Sequence, residues 1–124
     1  MDRKKILIVD DEQNIRLLVS SMLGNKYSVP KAKDGEQAVD IARSQKPDLI
    51  LMDIMMPKLD GYAACHAIKT EQATQAIPVV MLTAIGYELN KKLAKEVGTD
   101  GYITKPFSLR DLLDTIGKFS EYPE

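Results

Sequence analysis

The chain has 124 residues, a formal net charge of −1, 44% hydrophobic and 28% charged residues, and one cysteine, Cys65. That length fits one domain whose core takes in roughly two-thirds of the unfolded chain's surface. Disordered and collagen-like chains are excluded by composition, binding of nucleic acid through bulk positive charge by the balance of charges, and an internal disulfide or cysteine-based zinc cluster by the lone Cys65.

From the N-terminus, Ile6-Leu7-Ile8-Val9 is the first apolar run, and it stops at Asp10. Four residues are too few for a signal-peptide core, and no run reaches the roughly 18 needed to cross a bilayer. The expectation is a cytoplasmic domain with no membrane segment and no space for a separate effector. A helix should follow, because Ile15, Leu18, Val19, Met22 and Leu23 recur on one helical face and Gly24 offers a stop. Tyr27-Ser28-Val29, before Pro30 and Ala32, reads as a second strand. Proline cannot donate a ladder hydrogen bond, so this strand belongs at a sheet edge. Asp34, with Gln37 three residues on, opens a helix carrying Ala38, Ile41 and Ala42, and Pro47 ends that connection.

Leu49-Ile50-Leu51-Met52 is the next buried run and leads into Asp53. A helix with Ala64, Ala67 and Ile68 follows Asp60-Gly61. Val79-Val80-Met81-Leu82 leads into Thr83, and a helix with Leu89, Leu93 and Val97 ends at Gly98. Tyr102-Ile103-Thr104 is the fifth strand and runs into Lys105-Pro106. Ser108-Leu109-Arg110-Asp111 has the capping-box pattern and opens a last helix with Leu109, Leu112, Leu113 and Ile116. The tail from Ser120 to Glu124 is expected to fray.

The three strong runs are continuous rather than alternating, which suits strands covered on both faces. Strand and helix alternate five times, so the fold class is α/β, a parallel sheet with helices on both faces. Ligands bind such sheets at the carboxyl ends of the strands. Asp10, Asp11, Asp53, Thr83 and Lys105 all fall there. Three crowded carboxylates repel one another, which raises at least one pKa, and a divalent cation relieves the repulsion. The donors are hard oxygens with no histidine near, so Mg²⁺, or Mn²⁺, fits better than Zn²⁺. Lys105 and Thr83 supply a cation and a hydroxyl for a phosphoryl group. A carboxylate is ionised at neutral pH and can attack phosphorus without a general base. Taken singly, Asp11 reads as a helix cap, Thr83 as a strand end and Lys105 as a surface lysine; their convergence carries the site.

These segments give the chain a resemblance to the receiver domain of a bacterial-type response regulator from two-component signalling. The matching stretches are Ile6 to Asp11, Leu49 to Pro57 with Asp60-Gly61, Val80 to Ala84, and Gly101 to Phe107. The resemblance makes residues 1–124 one receiver domain, with a core over about 4–119. It implies a flavodoxin-like (βα)5 fold with five strands in the order 2-1-3-4-5. It implies that Asp53 is the phosphoacceptor, and that Asp11, Asp53 and the Met55 backbone carbonyl hold Mg²⁺ with Asp10 acting through water. Lys105, on a cis bond to Pro106, would contact the phosphoryl oxygens, as would Thr83. Ala84 would leave access, and Tyr102 would swing inward on activation. The face made by helix four, strand five and helix five would then control a partner.

The implied phosphodonor is a histidine kinase or a histidine phosphotransfer protein. The implied output is a downstream protein, an effector domain of a longer DNA-binding regulator or hybrid kinase, or a phosphorylation-dependent dimer. No direct nucleic-acid contact is implied, and no enzyme activity beyond self-phosphoryl transfer and slow self-dephosphorylation. Met55 and Ile85, both apolar, should hinder an attacking water. Gly101 and Thr115 depart from the acidic and basic residues usual in the winged-helix subfamily. A competing reading is a Mg²⁺-dependent aspartyl phosphohydrolase, but that class resembles Asp-x-Asp, and Met55 stands two residues after Asp53. A flavin module would need a phosphate loop where Asp10-Asp11-Glu12 stands. His66 reads as a surface helix residue and Cys65 as a packing residue.

Overall fold

The computed structural model describes residues 3–84 and 91–119. In chain order the elements are β1 (Lys4–Val9), α1 (Gln13–Leu23), β2 (Tyr27–Ser28), β3 (Lys31–Ala32), α2 (Gly35–Gln45) and β4 (Leu49–Asp53). Then come α3 (Gly61–Thr70), β5 (Val79–Thr83), α4 (Lys91–Val97), β6 (Gly101–Thr104) and α5 (Leu109–Phe119). The sheet is parallel, in the order β2-β1-β4-β5-β6, with β3 also paired to β1. This is the flavodoxin-like α/β class, with one correction: the expected second strand is two short ones. Pro30 sits between them. Its carbonyl accepts from Ile8 N–H at 3.1 Å, but it has no N–H to return. The break therefore falls on the outermost strand, where a missing donor costs least.

The long central strands bury alternate residues against two separate cores. Leu7, Val9, Ile50, Met52, Val79 and Met81 face α2, α3 and α4. Ile6, Ile8, Leu49, Leu51, Val80 and Leu82 face α1 and α5. Successive strand residues point to opposite faces, so a run must be apolar throughout when helices cover both. Each such side chain contributes about 1.5–3 kcal/mol by leaving water.

The helix boundaries follow local chemistry. Asp34 accepts from Gln37 N–H at 2.9 Å, and the Gln37 side chain accepts from Lys33 N–H at 3.0 Å. Asp60 caps α3 through Ala63 N–H at 2.9 Å. Ser108 and Asp111 exchange two 3.0 Å bonds at the start of α5, the reciprocal pairing of a capping box. Gly24 ends α1 at φ 59, a conformation that suits glycine. Leu18, Leu109 and Leu113, expected on core-facing stripes, are instead exposed, as is Leu17. Only Val19 and Leu23 of α1, and Leu112 and Ile116 of α5, reach full burial. Ile85 and Leu89, the tail from Ser120, and the start of the fourth helical stripe lie outside the described residues. Among the described residues no helix is long and apolar enough to cross a membrane.

Candidate functional site

β1, β4 and β5 end at the same rim because they pair in register: Val9 opposite Met52, and Asp53 opposite Leu82. Asp10, one residue past β1, is fully buried. Its Oδ1 accepts from Glu12 N–H at 3.0 Å, and its backbone carbonyl accepts from the Arg16 guanidinium at 2.7 Å. These bonds turn the chain sharply and leave Asp11 exposed at the mouth. Glu12, not Asp11, stands at the N-cap of α1 and makes no side-chain cap, so the capping explanation for Asp11 falls away. Asp10, Asp11 and Asp53 each offer an oxygen within 4.8 Å of the others.

Among the described residues, one side-chain cation faces this cluster. Lys105 Nζ donates to Asp10 Oδ2 at 2.8 Å and lies 3.6 Å from Asp53 Oδ1. β6 delivers it, and the Lys105–Pro106 peptide bond is cis. Burial pushes the lysine towards neutrality, but the Asp10 bond and the charges of Asp53, Asp10 and Glu12 outweigh it and raise its pKa. The Asp53 carboxyl is pushed up to about 6, first by burial and then by Asp10, with Asp11 adding and Lys105 opposing. One lysine is too little for three carboxylates, so the rim favours a further cation.

Asp11, Asp53, Met55, Thr83, Ala84 and Lys105 line one cavity of about 250 Å³, with Asp10 buried behind it. Thr83 is buried, its hydroxyl 3.5 Å from that of Thr104 on the neighbouring strand. Met55 stands 66% exposed over the mouth. The donor set, hard oxygens with open space beside them, fits Mg²⁺ better than a soft metal. Tyr102 is not in this cavity. It is 55% exposed and lines a groove between β6 and α5. His66 is exposed on α3. Cys65 is buried, its thiol pushed up to about 11 chiefly by burial, which marks a packing residue.

Two contributors escape sequence reasoning. Arg16 has no spacing that marks it; only the fold brings it to the Asp10 carbonyl. Phe119 covers Gly101 so closely that a Cβ there would come within 2.6 Å of its ring. That contact explains why position 101 carries no side chain here.

The sequence model of the family described as the response regulator receiver domain matches residues 6–117. The chain is 46% identical over 110 residues to the alkaline phosphatase synthesis transcriptional regulatory protein PhoP of Bacillus subtilis, covering 88% of this chain and 45% of that protein. It spans about half the length of the curated relatives it matches. Among solved structures, the Vibrio cholerae chemotaxis protein CheY4 is similar, with TM-score 0.86 and 33% identity over 94% of this chain and 98% of that one. The receiver domain of a Pseudomonas aeruginosa sensor histidine kinase, solved with a magnesium ion coordinated in its active site cleft, gives TM-score 0.88 and 30% identity. That match covers 97% of this chain and 99% of the other.

Proposed function

The chain belongs to the response regulator receiver family, and from that premise we propose that it is a cytoplasmic signalling switch set by phosphorylation of Asp53. The observation that carries this reading is the rim itself, where a carboxyl with its pKa raised to about 6 lies within 4.8 Å of two other carboxylates and shares a cavity with Lys105 and Thr83. Asp53 is the phosphoacceptor. Asp11, Asp53 and the Met55 carbonyl would hold Mg²⁺, with Asp10 acting through water. Bound there, the cation would supply positive charge to offset the three carboxylates.

The donor is the phosphohistidine of a histidine kinase or phosphotransfer protein. A carboxylate oxygen of Asp53 forms the new bond to phosphorus. The phosphorus–nitrogen bond breaks, and the imidazole leaves with its electron pair and takes up a proton from water. Lys105, now held by Asp10, gives its charge to the phosphoryl oxygens. Ala84 adds only a methyl group at the mouth, so the donor imidazole can reach. Thr83 donates its hydroxyl to the phosphoryl group. The phosphoryl group adds about 1.5–2 negative charges, and these new bonds favour one of two arrangements of α4, β6 and α5. Tyr102 turns from solvent into the space that Thr83 leaves. Exposed Met55 obstructs an in-line water, so self-dephosphorylation is slow and the domain is no turnover enzyme.

Output runs through a docked partner or a phosphorylation-dependent dimer. A second reading, favoured by the transcriptional regulators among its relatives, is a receiver within a longer DNA-binding protein. Incubation with a small phosphodonor and Mg²⁺, read by intact mass, tests the core of the proposal. One phosphoryl group should appear on the native chain and none on Asp53→Ala. Equal uptake by the two would overturn it.

A further inference from the structure

The loop between β4 and α3, residues 54–60, carries the Met55 carbonyl. Its base is closed from inside. Gly61 N–H donates to the Ile54 carbonyl at 2.8 Å, and Gly61 lies so close to the Asp53 carbonyl that any Cβ would overlap it. Its outer turn is held from outside, by residues that play no part in the rim. Lys58 sits at φ 66, a left-handed backbone uncommon for a residue with a side chain. Beside it, the Leu59 carbonyl presses against Gly35 at the start of α2, and a Cβ on Gly35 would overlap the Leu59 backbone. Asp34 is buried and uses its two oxygens differently. Oδ1 caps α2 through Gln37 N–H, while Oδ2 faces Lys58 Nζ at 3.9 Å.

We propose that Asp34 and Gly35 are positioning residues for the metal site, bracing the turn at Lys58–Leu59 and so fixing the Met55 carbonyl. This role rests on the ligand assignment made under Proposed function. The reasoning is mechanical. A loop anchored at both ends but free at its outer turn samples several positions, and only some present the carbonyl to the cation. Apparent affinity falls by the fraction of time spent in the others. Chemistry at saturating cation is unaffected, because bound cation then selects the competent position.

The test compares the full native chain with Gly35→Ala and Asp34→Asn. Mg²⁺ is titrated while the amide signals of Asp53 and Met55 are followed by NMR. Phosphoryl uptake from a small phosphodonor is measured separately at saturating Mg²⁺. Gly35→Ala should raise the Mg²⁺ Kd about tenfold. Asp34→Asn keeps the helix cap, since asparagine caps as well as aspartate, but loses the charge facing Lys58, and should raise the Kd about two- to threefold. Uptake at saturating Mg²⁺ should stay within about twofold of native for both.

Native Kd values in both variants would overturn the role, and so would lowered thermal stability with unchanged Kd, the mark of a merely structural contact. Should Gly35→Ala not fold, Asp34→Asn decides alone. A native chain that binds no Mg²⁺ would overturn the ligand assignment instead, and the positioning role with it.

Discussion

At the amino-terminal end of the sheet, two aspartates each accept a strand's backbone N–H. Asp48 takes that of Lys5 at 2.8 Å, and Asp100 takes that of Val79 at 2.7 Å while pairing with Lys69 at 2.8 Å. At the carboxyl end, Asp10, Asp11 and Asp53 crowd together around one lysine, and Asp53 is pushed up to about 6. Residue type is the same at both ends; partner supply differs. Carboxylates given donors tie strands to their neighbours. Carboxylates that must share one lysine stay crowded, an arrangement that favours a further cation.

The largest effect should come from removing the poised group. Asp53→Ala should lower phosphoryl uptake at least about 100-fold, read by intact mass, since it removes the proposed nucleophile. At the other end, Asp100→Ala should leave uptake at the native level. Next in size is Lys105→Ala, which leaves Asp10 fully buried without its cation. A loss of about 2–4 kcal/mol in urea unfolding is expected without Mg²⁺.

The raised Asp53 pKa sets a pH dependence whose sign is opposite to that of a salt-bridged carboxylate. The folded state holds this proton up to about 6, whereas the unfolded state releases it near 3.9. Folding stability from this group is therefore present at low pH and falls as pH rises through that window, by on the order of 2–3 kcal/mol. Asp53→Asn, which cannot ionise, should unfold at higher urea than native at pH 7–8, and the two curves should converge near pH 4. Saturating Mg²⁺ should close most of the gap. A constant difference across the whole range would sink the crowding argument. The smallest effect is expected from Asp100→Ala, about 1–2 kcal/mol, from the orphaned Val79 N–H.

The strands were legible because doubly covered strands write themselves as unbroken apolar runs, and the rim followed from where those runs meet Asp10, Asp53, Thr83 and Lys105. The capped helix starts at Asp34, Asp60 and Ser108 were equally local, each cap bonding a few residues ahead. Helix stripes were less reliable. Leu18, Leu109 and Leu113 continue an apolar period, but among the described residues only α1 and α5 cover their face of the sheet, and both leave leucines in solvent. Periodicity reports which residues share a face, not how much of that face a neighbour covers. The split at Pro30 was half visible, since the proline marks an edge but not the ladder that resumes at Lys31.

By itself the sequence determined the α/β class, the edge position of the second strand and the residues gathered at the carboxyl rim. Each of these depends on covalent neighbours and on strand order. The tertiary structure alone decided that Lys105 rests on Asp10, that Arg16 holds the Asp10 carbonyl, that Phe119 shields Gly101, and that Gly35 presses on Leu59. Those contacts join residues from different elements, and their distances are set by how helices pack on a twisted sheet, which no local pattern of residues encodes.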